Sequence, residues 1–260
     1  MTSATSPVRI LPRFGGFTAG MIKLELRRML RNRRTVIFTL VLPAVFFLLF
    51  GTNSSSRTQS AGDGNVTGYI MVSMAVYGAM LATTSGGAMV SIERAAGWSR
   101  QLRLTPLRPV AYIAVKLALA MIIGAVSVAV SFAVGSVSGA KLPADAWILC
   151  PLLAWVCALV FAAFGLFMGY LLPSENVMQI LGPVLAVLSF AGGLFVPLDS
   201  LGNTFATIAK FTPVYGVGEL ARSPLTHEGN IGLAVLNVVV WTALFAAGAM
   251  WRFRRDTARV

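Results

Sequence analysis

The feature that most constrains this chain is a series of six long apolar runs joined by short polar segments. An α-helix needs ~20 mostly apolar residues to cross the ~30 Å hydrocarbon core of a bilayer. Strands of a membrane barrel alternate apolar and polar residues over ~10 positions, whereas these runs are continuously apolar. The sequence therefore predicts an all-α integral membrane protein with six transmembrane helices. The six runs are Thr35–Gly51, Gly68–Ile92, Ala111–Gly139, Ala146–Leu172, Val177–Leu198 and Ile231–Trp251.

The composition agrees with a surface that faces lipid. Of the 260 residues, 57% are hydrophobic and only 12% are charged, whereas soluble domains average about 25% charged residues. The net charge of +12 could suggest a nucleic-acid partner. However, the basic residues lie in short segments beside the apolar runs, which is the pattern of membrane topology. We therefore expect membrane lipid, and no nucleic acid, as a partner.

The basic residues also predict the orientation, because Lys and Arg concentrate in cytoplasmic connections. If the N-terminus is cytoplasmic, all but four of the 21 Lys and Arg residues lie on the inner side; the exceptions are Arg57, Lys141, Lys210 and Arg222. We expect a multi-pass protein of the cell membrane with both termini cytoplasmic. It would form one transmembrane domain over residues 1–260: a tail with an amphipathic helix (1–34), a six-span bundle (35–251) and a second tail (252–260).

Two connections have patterns of their own. Before the first span, an apolar and a basic stripe recur at helical spacing, which predicts an amphipathic helix along the inner membrane surface. The apolar stripe is Ile22, Leu26 and Met29, and the basic stripe is Lys23, Arg27, Arg31 and Arg34. Between spans five and six, the outer connection Asp199–Asn230 has apolar stretches punctuated by Pro197, Pro213 and Pro224. This pattern predicts short re-entrant helices that dip into the outer leaflet. By contrast, the Ser-, Gly- and Asn-rich loop Thr52–Asn65 is expected to be mobile.

Small residues spaced four apart allow helices to approach closely in lipid. Such pairs are Gly135 with Gly139, Gly165 with Gly169, and Gly78 with Ala82. Packing within one bundle and packing between subunits are both open at this point.

The residue types that carry chemistry are scarce. The deep interiors of the predicted spans contain no Asp, Glu, Lys, Arg or His, and Lys116 and Glu175 fall near span ends. This scarcity argues against a proton-driven carrier, which uses such groups. The sequence also contains no Gly-x-x-x-x-Gly-Lys-Ser/Thr loop, the motif that cradles ATP phosphates. We therefore expect no enzyme activity, no catalytic residues, no metal site and no directly bound cofactor.

The segment from Glu93 to Leu107 reads Glu-Arg-Ala-Ala-Gly-Trp-Ser-Arg-Gln-Leu-Arg-Leu-Thr-Pro-Leu. It resembles the signature of type-2 ATP-binding cassette (ABC) export permeases, which have a Glu closing the second span, a Gly four residues on, then Leu and a Thr-Pro or Ser-Pro turn. Phe211-Thr212-Pro213 is similar to a second element of that family, and the resemblance covers nearly the whole chain.

The resemblance implies that this segment is a coupling helix seated in a groove of a separate ATPase subunit, which binds ATP and Mg²⁺. Glu93 can begin the helix, where a carboxylate complements free N–H groups; Gly97 lowers the bulk at a contact; and Pro106 ends the helix. The alternative is a surface helix held by lipid head groups through Arg94, Arg100 and Arg103. The residues assigned to ATPase coupling are Glu93, Arg94, Gly97, Trp98, Leu102, Thr105 and Pro106.

The resemblance further implies an exporter that forms a dimer with a second copy or a similar permease. The candidate cavity-facing side chains named below suit a hydrophobic drug, antibiotic or lipid better than a strongly charged solute. A polysaccharide exporter of the same fold, a non-transporting anchor or regulatory subunit, and a secondary carrier remain as alternatives. Apolar, aromatic and hydroxyl side chains are candidates to face the transport cavity. These candidates are Phe46, Phe47, Tyr77, Thr83, Ser127, Phe190 and Asn237.

Overall fold

A computed structural model describes residues 19–31, 37–97 and 109–258 of the chain. The described part is a bundle of helices, with one two-stranded antiparallel hairpin. The first elements are α1 (Ala19–Arg31), a π-helical turn (Ile37–Val41), α2 (Leu42–Gly51), α3 (Ser54–Thr58), β1 (Ser60–Ala61) and β2 (Gly64–Asn65). The following helices are α4 (Val66–Ala95), α5 (Pro109–Val137), α6 (Ala146–Cys157), α7 (Leu159–Leu171) and α8 (Ser174–Ala191). A 3₁₀ turn (Leu198–Leu201), α9 (Asn203–Ala209), α10 (Pro213–Thr226) and α11 (Ile231–Ala258) complete the described chain.

Within the described residues, five apolar segments are long enough to cross a membrane, which indicates a multi-pass membrane protein. They are Val66–Ala95, Ala111–Val137, Ala146–Leu171 (α6 and α7 in succession), Ser174–Ala191 and Ile231–Arg255. The first predicted span appears as the shorter apolar helix Ile37–Gly51. At ~1.5 Å per residue it falls short of the ~30 Å core, and its role as a sixth span stays a prediction.

The fifth predicted span, Val177–Leu198, has the wrong boundaries. Helix α8 begins at Ser174 and ends at Ala191, seven residues before the predicted end. Two consecutive glycines follow, and Gly193 has a φ of +75°. A left-handed residue ends a helix because it turns the chain away from the helix axis.

Helix α4 lies at the centre of the bundle. It packs against α2, α5, α7, α8 and α10, and its apolar segment is the most buried of the five. Its close approach to α7 depends on glycine, since a Cβ at Gly165 would lie 2.2 Å from the Thr84 carbonyl oxygen. A Cβ at Gly169 would meet the Ala88 backbone at 3.2 Å. The pair Gly165 and Gly169 therefore serves packing within one bundle.

The connection between α8 and α11 lies beside the long helices rather than beyond their ends. Helix α10 packs against α4, α6 and α11. The Trp241 indole of α11 donates to the Phe211 carbonyl oxygen at 3.1 Å, and the Asn237 amide donates to the Lys210 carbonyl oxygen at 2.8 Å. The expectation of short helices in this connection is confirmed. Their depth in the outer leaflet stays a prediction.

The prolines of this connection have different positions from one another. Pro197 precedes the 3₁₀ turn. Pro213 occupies the first turn of α10, after Thr212, whose hydroxyl accepts from the Tyr215 N–H at 3.3 Å. Pro224 lies inside α10 and does not interrupt it, in contrast to the sequence expectation.

The segment Thr52–Asn65 contains α3 and the β hairpin, and its expected mobility stays a prediction. Asn65 is buried and caps α4, because its side-chain oxygen accepts from the Gly68 N–H at 2.9 Å. The same oxygen accepts from the Lys141 N–H at 2.9 Å, and the side-chain amide donates to the Gly139 carbonyl oxygen at 2.9 Å. Asn65 thus joins the end of this segment to neighbouring backbone.

Candidate functional site

A buried charged junction lies where α1, the end of α4 and the start of α5 meet. We call this side of the bundle, which also holds the C-terminal ends of α7 and α11, the basic end. The junction cluster consists of Glu25 of α1, Glu93 of α4, and Tyr112 and Lys116 of α5. The opposite side, with the β hairpin, is the hairpin end.

Glu93 is only 3% exposed, and both carboxylate oxygens bind α5. Oε1 accepts from the Lys116 ammonium at 2.5 Å, and Oε2 accepts from the Tyr112 hydroxyl. Tyr112 and Lys116 are four residues apart, so they share one face of α5. A buried carboxylate needs such charged and hydroxyl partners because desolvation is costly.

Lys116 is as buried as Glu93 and has a second carboxylate partner. Its Nζ lies 3.3 Å from Oε2 of Glu25 on α1. The ammonium also lies 5.4 Å from the centre of the Tyr112 ring. One lysine therefore joins the N-terminal helix to the end of α4.

Arg94, the next residue after Glu93, binds a different helix. Its Nη1 donates to the carbonyl oxygens of Gly169 at 3.2 Å and Tyr170 at 3.0 Å. These carbonyls belong to the last turn of α7, where they lack intrahelical N–H partners. The guanidinium also lies 5.4 Å from the centre of the Tyr170 ring.

Tyr170 extends this set of contacts to α11. Its ring packs edge-on against the ring of Phe253, with 5.8 Å between centroids. The side chains from Glu25 to Phe253 thus connect α1, α5, α4, α7 and α11 in order across the basic end. The coupling segment predicted from the sequence starts within this series of contacts, because Glu93 and Arg94 are its first two residues.

Glu93 closes the second span, as the resemblance implied, but the role predicted for it at the start of a following helix is wrong. The sequence suggested that it begins a helix after the span, where free N–H groups would meet its carboxylate. In the structure, Glu93 lies in the last turn of α4, and its carboxylate is taken up by α5. The spacing of Tyr112 and Lys116 beside a span end was the signal that could have indicated this cluster.

Gly97 ends α4 through its backbone conformation. Its φ is +73°, and its N–H donates to the Arg94 carbonyl oxygen at 3.0 Å. A side chain at this φ is strained. Among the described residues, no atom lies within 4 Å of a Cβ built at Gly97, so the described part of the chain leaves space there. Trp98, Arg100, Leu102, Arg103, Thr105 and Pro106 lie outside the described residues.

The amphipathic segment is helical, as α1 confirms. Leu26 is half-buried and packs against the apolar cluster formed by Ala82 with Val115, Leu119 and Ile123 of α5. Arg27 and Arg31 are exposed, and Leu24 is 71% exposed on a face that the predicted stripe did not include. The side chains of Ile22 and Met29 lie outside the described set. Leu26 therefore faces the bundle.

Several side chains proposed to face a transport cavity are enclosed within the chain instead. Phe47, Thr83 and Ser127 are almost fully buried. The Thr83 hydroxyl donates to the Ala79 carbonyl oxygen and the Ser127 hydroxyl to the Thr39 carbonyl oxygen, both at 2.8 Å. Asn237 holds the backbone before α10 through Lys210 and Thr212. This packing contradicts the cavity-facing expectation for Phe47, Thr83 and Ser127.

The other three aromatic candidates, Phe46, Tyr77 and Phe190, belong to one cluster, which we call the aromatic cluster. Phe195 is at its centre, with its ring centroid 5.9 Å from Phe46, 5.0 Å from Tyr77 and 4.9 Å from Phe190. Phe50 joins through Phe46 at 6.0 Å. Phe190 and Phe50 are each more than half exposed. Sequence reasoning missed Phe195, because the fifth predicted span was expected to continue through it. It also missed Phe50.

Sequence reasoning also missed a buried arginine in the outer connection. Arg222 of α10 is 3% exposed. Its Nη1 donates to the Gly193 carbonyl oxygen at 2.9 Å and to the Ser73 hydroxyl at 3.3 Å, and its Nη2 lies 3.2 Å from Glu219 Oε1. Arg222 thereby fixes α10 to α4 and to the turn after α8.

Comparison with known proteins indicates the family of the chain. The family model described as "ABC-2 type transporter" matches residues 18–225, which include α1 and the whole junction cluster. A protein of Bacillus subtilis (strain 168) named "Putative transport permease YvfS" is 28% identical to this chain over 229 residues. The match covers 85% of this chain and 91% of that relative.

Proposed function

This chain belongs to the ABC-2 type transporter family, and from that premise we propose that it is the membrane subunit of an ATP-driven exporter. The family makes transport the general role of the chain and implies an ABC ATPase partner. The sequence contains no phosphate-binding loop. In this proposal a separate ATPase chain therefore binds ATP and Mg²⁺ and performs the hydrolysis.

The observation that carries the proposal is the fixation of Glu93 and Arg94 at the basic end. These two residues attach the start of the coupling segment to α5 and α7. A segment that transmits force to a bundle needs such a firm attachment, because a loose connection would bend instead of moving the helices. The coupling segment, from Glu93 to Pro106, is the ATPase contact in this proposal, with Trp98 and Leu102 as its apolar anchors.

The orientation follows from the basic residues. The basic end faces the cytoplasm, where the ATPase docks, and the hairpin end faces outward. The connection with α9 and α10 then lies within the outer leaflet, as its packing beside α4, α6 and α11 supports. Two copies of the chain, or this chain and a similar permease, form the transport pathway between them.

The aromatic cluster supports a hydrophobic substrate class. Phe50 and Phe190 present exposed ring surface beside Phe46 and Phe195. Aromatic rings bind apolar and planar molecules by burial and stacking. A drug, an antibiotic or a lipid-like solute fits such a surface better than a strongly charged solute.

The test is purification of the tagged chain from membranes of its own host, followed by identification of the proteins that co-purify. We expect an ABC ATPase among them. The reconstituted complex should hydrolyse ATP at a rate that changes when apolar dyes such as Hoechst 33342 are added, whereas the permease alone should not hydrolyse ATP. Transport driven by a proton gradient through the permease alone would contradict the proposal.

A further inference from the structure

We propose that Lys116 is a positioning residue that makes α1 and the start of the coupling segment move as one unit. The use of this linkage in transport rests on the proposed function, whereas the linkage itself is a property of the permease. The proposal is drawn from one ammonium group that contacts two carboxylates on two different elements. The coupling signature does not include this lysine, and the hydropathy pattern placed it near a span end without assigning it a role.

The contacts of Lys116 connect two elements that the chain separates widely. Its Nζ lies 2.5 Å from Glu93 Oε1 in the last turn of α4 and 3.3 Å from Glu25 Oε2 in α1. Four residues after Glu93, the chain leaves α4 at Gly97. The Lys116 ammonium thus joins α1 to the base of the coupling segment.

Burial makes this linkage strong. The side chain of Lys116 is 4% exposed, that of Glu93 4% and that of Glu25 13%. Water therefore screens these charges little, and each contact is worth more than an ion pair on a protein surface. Removing one partner from such a buried group leaves the remaining charge in a poor environment. A displacement of Glu93 therefore changes the stability of the contact with Glu25.

The two contacts of the Lys116 ammonium, the Glu93 arm and the Glu25 arm, differ in strength. The Glu93 arm is shorter and more buried, and the Tyr112 hydroxyl also donates to Glu93. The Glu25 arm is longer and more exposed. When the unit opens, α1 therefore separates first, while Lys116 stays with Glu93. In this proposal α1 docks on α5 when the ammonium is correctly placed and is released when Glu93 moves away.

Leu26 supports the same docked position of α1. It follows Glu25 directly and packs against the apolar cluster that includes Val115, Leu119 and Ile123 on the same helix as Lys116. The apolar contact alone gives α1 a position on the bundle. The ammonium adds a dependence on Glu93 that the apolar contact lacks, and this dependence can be measured.

The experiment measures amide hydrogen exchange of the permease alone in lipid nanodiscs. Glu93→Gln should accelerate exchange in residues 19–31 about tenfold, although Glu93 is not part of α1, because it displaces the shared ammonium. Arg94→Gln is the matched control, because the neighbouring residue holds α7 instead. Although this control lowers the global stability, α1 exchanges through its own local opening, so its exchange should stay at the wild-type rate.

Variants on the α1 side of the linkage show whether the effect also runs from α1 to α4, which misfolding of a Glu93 variant could not explain. Glu25→Gln changes a peripheral helix, and it should accelerate exchange at residues 90–97, at the end of α4. Lys116→Met should accelerate both regions, and adding Glu93→Gln to Lys116→Met should then change α1 no further. Lys116→Arg, which keeps the charge, should restore part of the protection.

Two results would overturn the proposal. One is an unchanged exchange rate of α1 in a folded Glu93→Gln protein, together with unchanged exchange at 90–97 in Glu25→Gln. The other is equal acceleration of α1 by Arg94→Gln, which would indicate general loosening of the bundle. Because no ATPase is present, these outcomes are independent of whether the permease is found to bind one.

Discussion

Glu93 and Arg94 are consecutive residues whose side chains hold two different helices, α5 and α7. Glu93 accepts from Tyr112 and Lys116, and Arg94 donates to the last carbonyls of α7. The central helix α4 is thus fixed to two neighbours at the point where it leads into the coupling segment. Any force on that segment reaches both neighbours through these two residues.

The contacts of Arg94 predict a loss of stability on its replacement. Arg94→Gln removes charge-assisted bonds to two helix-terminal carbonyl oxygens and should lower the stability by about 1–3 kcal/mol. Thermal unfolding in detergent, followed by size-exclusion fluorescence, measures this change. The control is Arg27→Gln, at an exposed position of α1, which should unfold like the wild type. Equal effects of both changes would contradict the proposed contribution of the Arg94 contacts with α7 to stability.

Glycine at position 97 could be needed for its left-handed backbone conformation or for close approach of the ATPase, and two substitutions distinguish these reasons. Gly97→Asn keeps a residue that tolerates φ near +73° while adding a side chain, whereas Gly97→Val is strained there. We expect the Asn protein to unfold at nearly the wild-type temperature yet retain less ATPase on co-purification. The Val protein should lose both properties. Normal ATPase retention by the Asn protein would refute a close approach at this position.

The coupling and lipid-anchor interpretations make opposite predictions for residues 98–103. If the segment enters an ATPase groove, Trp98→Ala should weaken ATPase co-purification strongly, since losing a buried aromatic anchor costs about 2 kcal/mol or more. The double change Arg100→Gln and Arg103→Gln should then matter less. If lipid head groups hold the segment, the order reverses. Quantitative pull-down of the ATPase with each protein compares the two.

Helix packing in the bundle predicts a pair of unequal alanine substitutions. A Cβ at Gly165 would lie 2.2 Å from a carbonyl oxygen of α4. At Gly182, by contrast, no atom of a neighbouring element among the described residues lies within 4 Å of an added Cβ. Gly165→Ala should therefore destabilise the protein by about 1–3 kcal/mol. Gly182→Ala, also in a helix, should be neutral or slightly stabilising. Matching unfolding temperatures would show that α4 and α7 are further apart.

The orientation can be tested by cysteine labelling in intact cells. Ser55→Cys and Asn203→Cys lie at exposed positions of the hairpin end and the outer connection, and both should react with an impermeant maleimide. Ser99→Cys should react only after the membrane is permeabilised. The native Cys150 and Cys157 are buried and should give little background. Labelling of Ser99→Cys in intact cells would reverse the topology.

The long apolar runs predicted the helices well because lipid leaves few alternatives to a fully hydrogen-bonded backbone. Boundaries were less accurate where a local feature decides them. Hydropathy continues through Phe195, but Gly193 adopts a left-handed conformation and α8 ends at Ala191. The sequence alone does not show which glycine in an apolar run will adopt a positive φ.

The junction cluster shows why the candidate site was only partly predictable. The signature around Glu93 was visible in the sequence, whereas its partners depend on how α5 and α1 pack. Arg222 was counted as a residue of an outer loop, yet the structure buries it between α4 and the turn after α8. Charge counting predicts the side of the membrane, whereas tertiary packing decides how exposed each side chain is.

The saturated hydrogen bonding of Asn65 has a consequence for producing the protein in eukaryotic cells. Asn65-Val66-Thr67 is a glycosylation sequon, and the glycan would be attached to the side-chain nitrogen. That nitrogen donates to the Gly139 and Arg57 carbonyl oxygens, and the residue is buried. A sugar can therefore be added only before the hairpin end has folded. Glycosylated chains from such a host would be a record of molecules that folded too late or not at all.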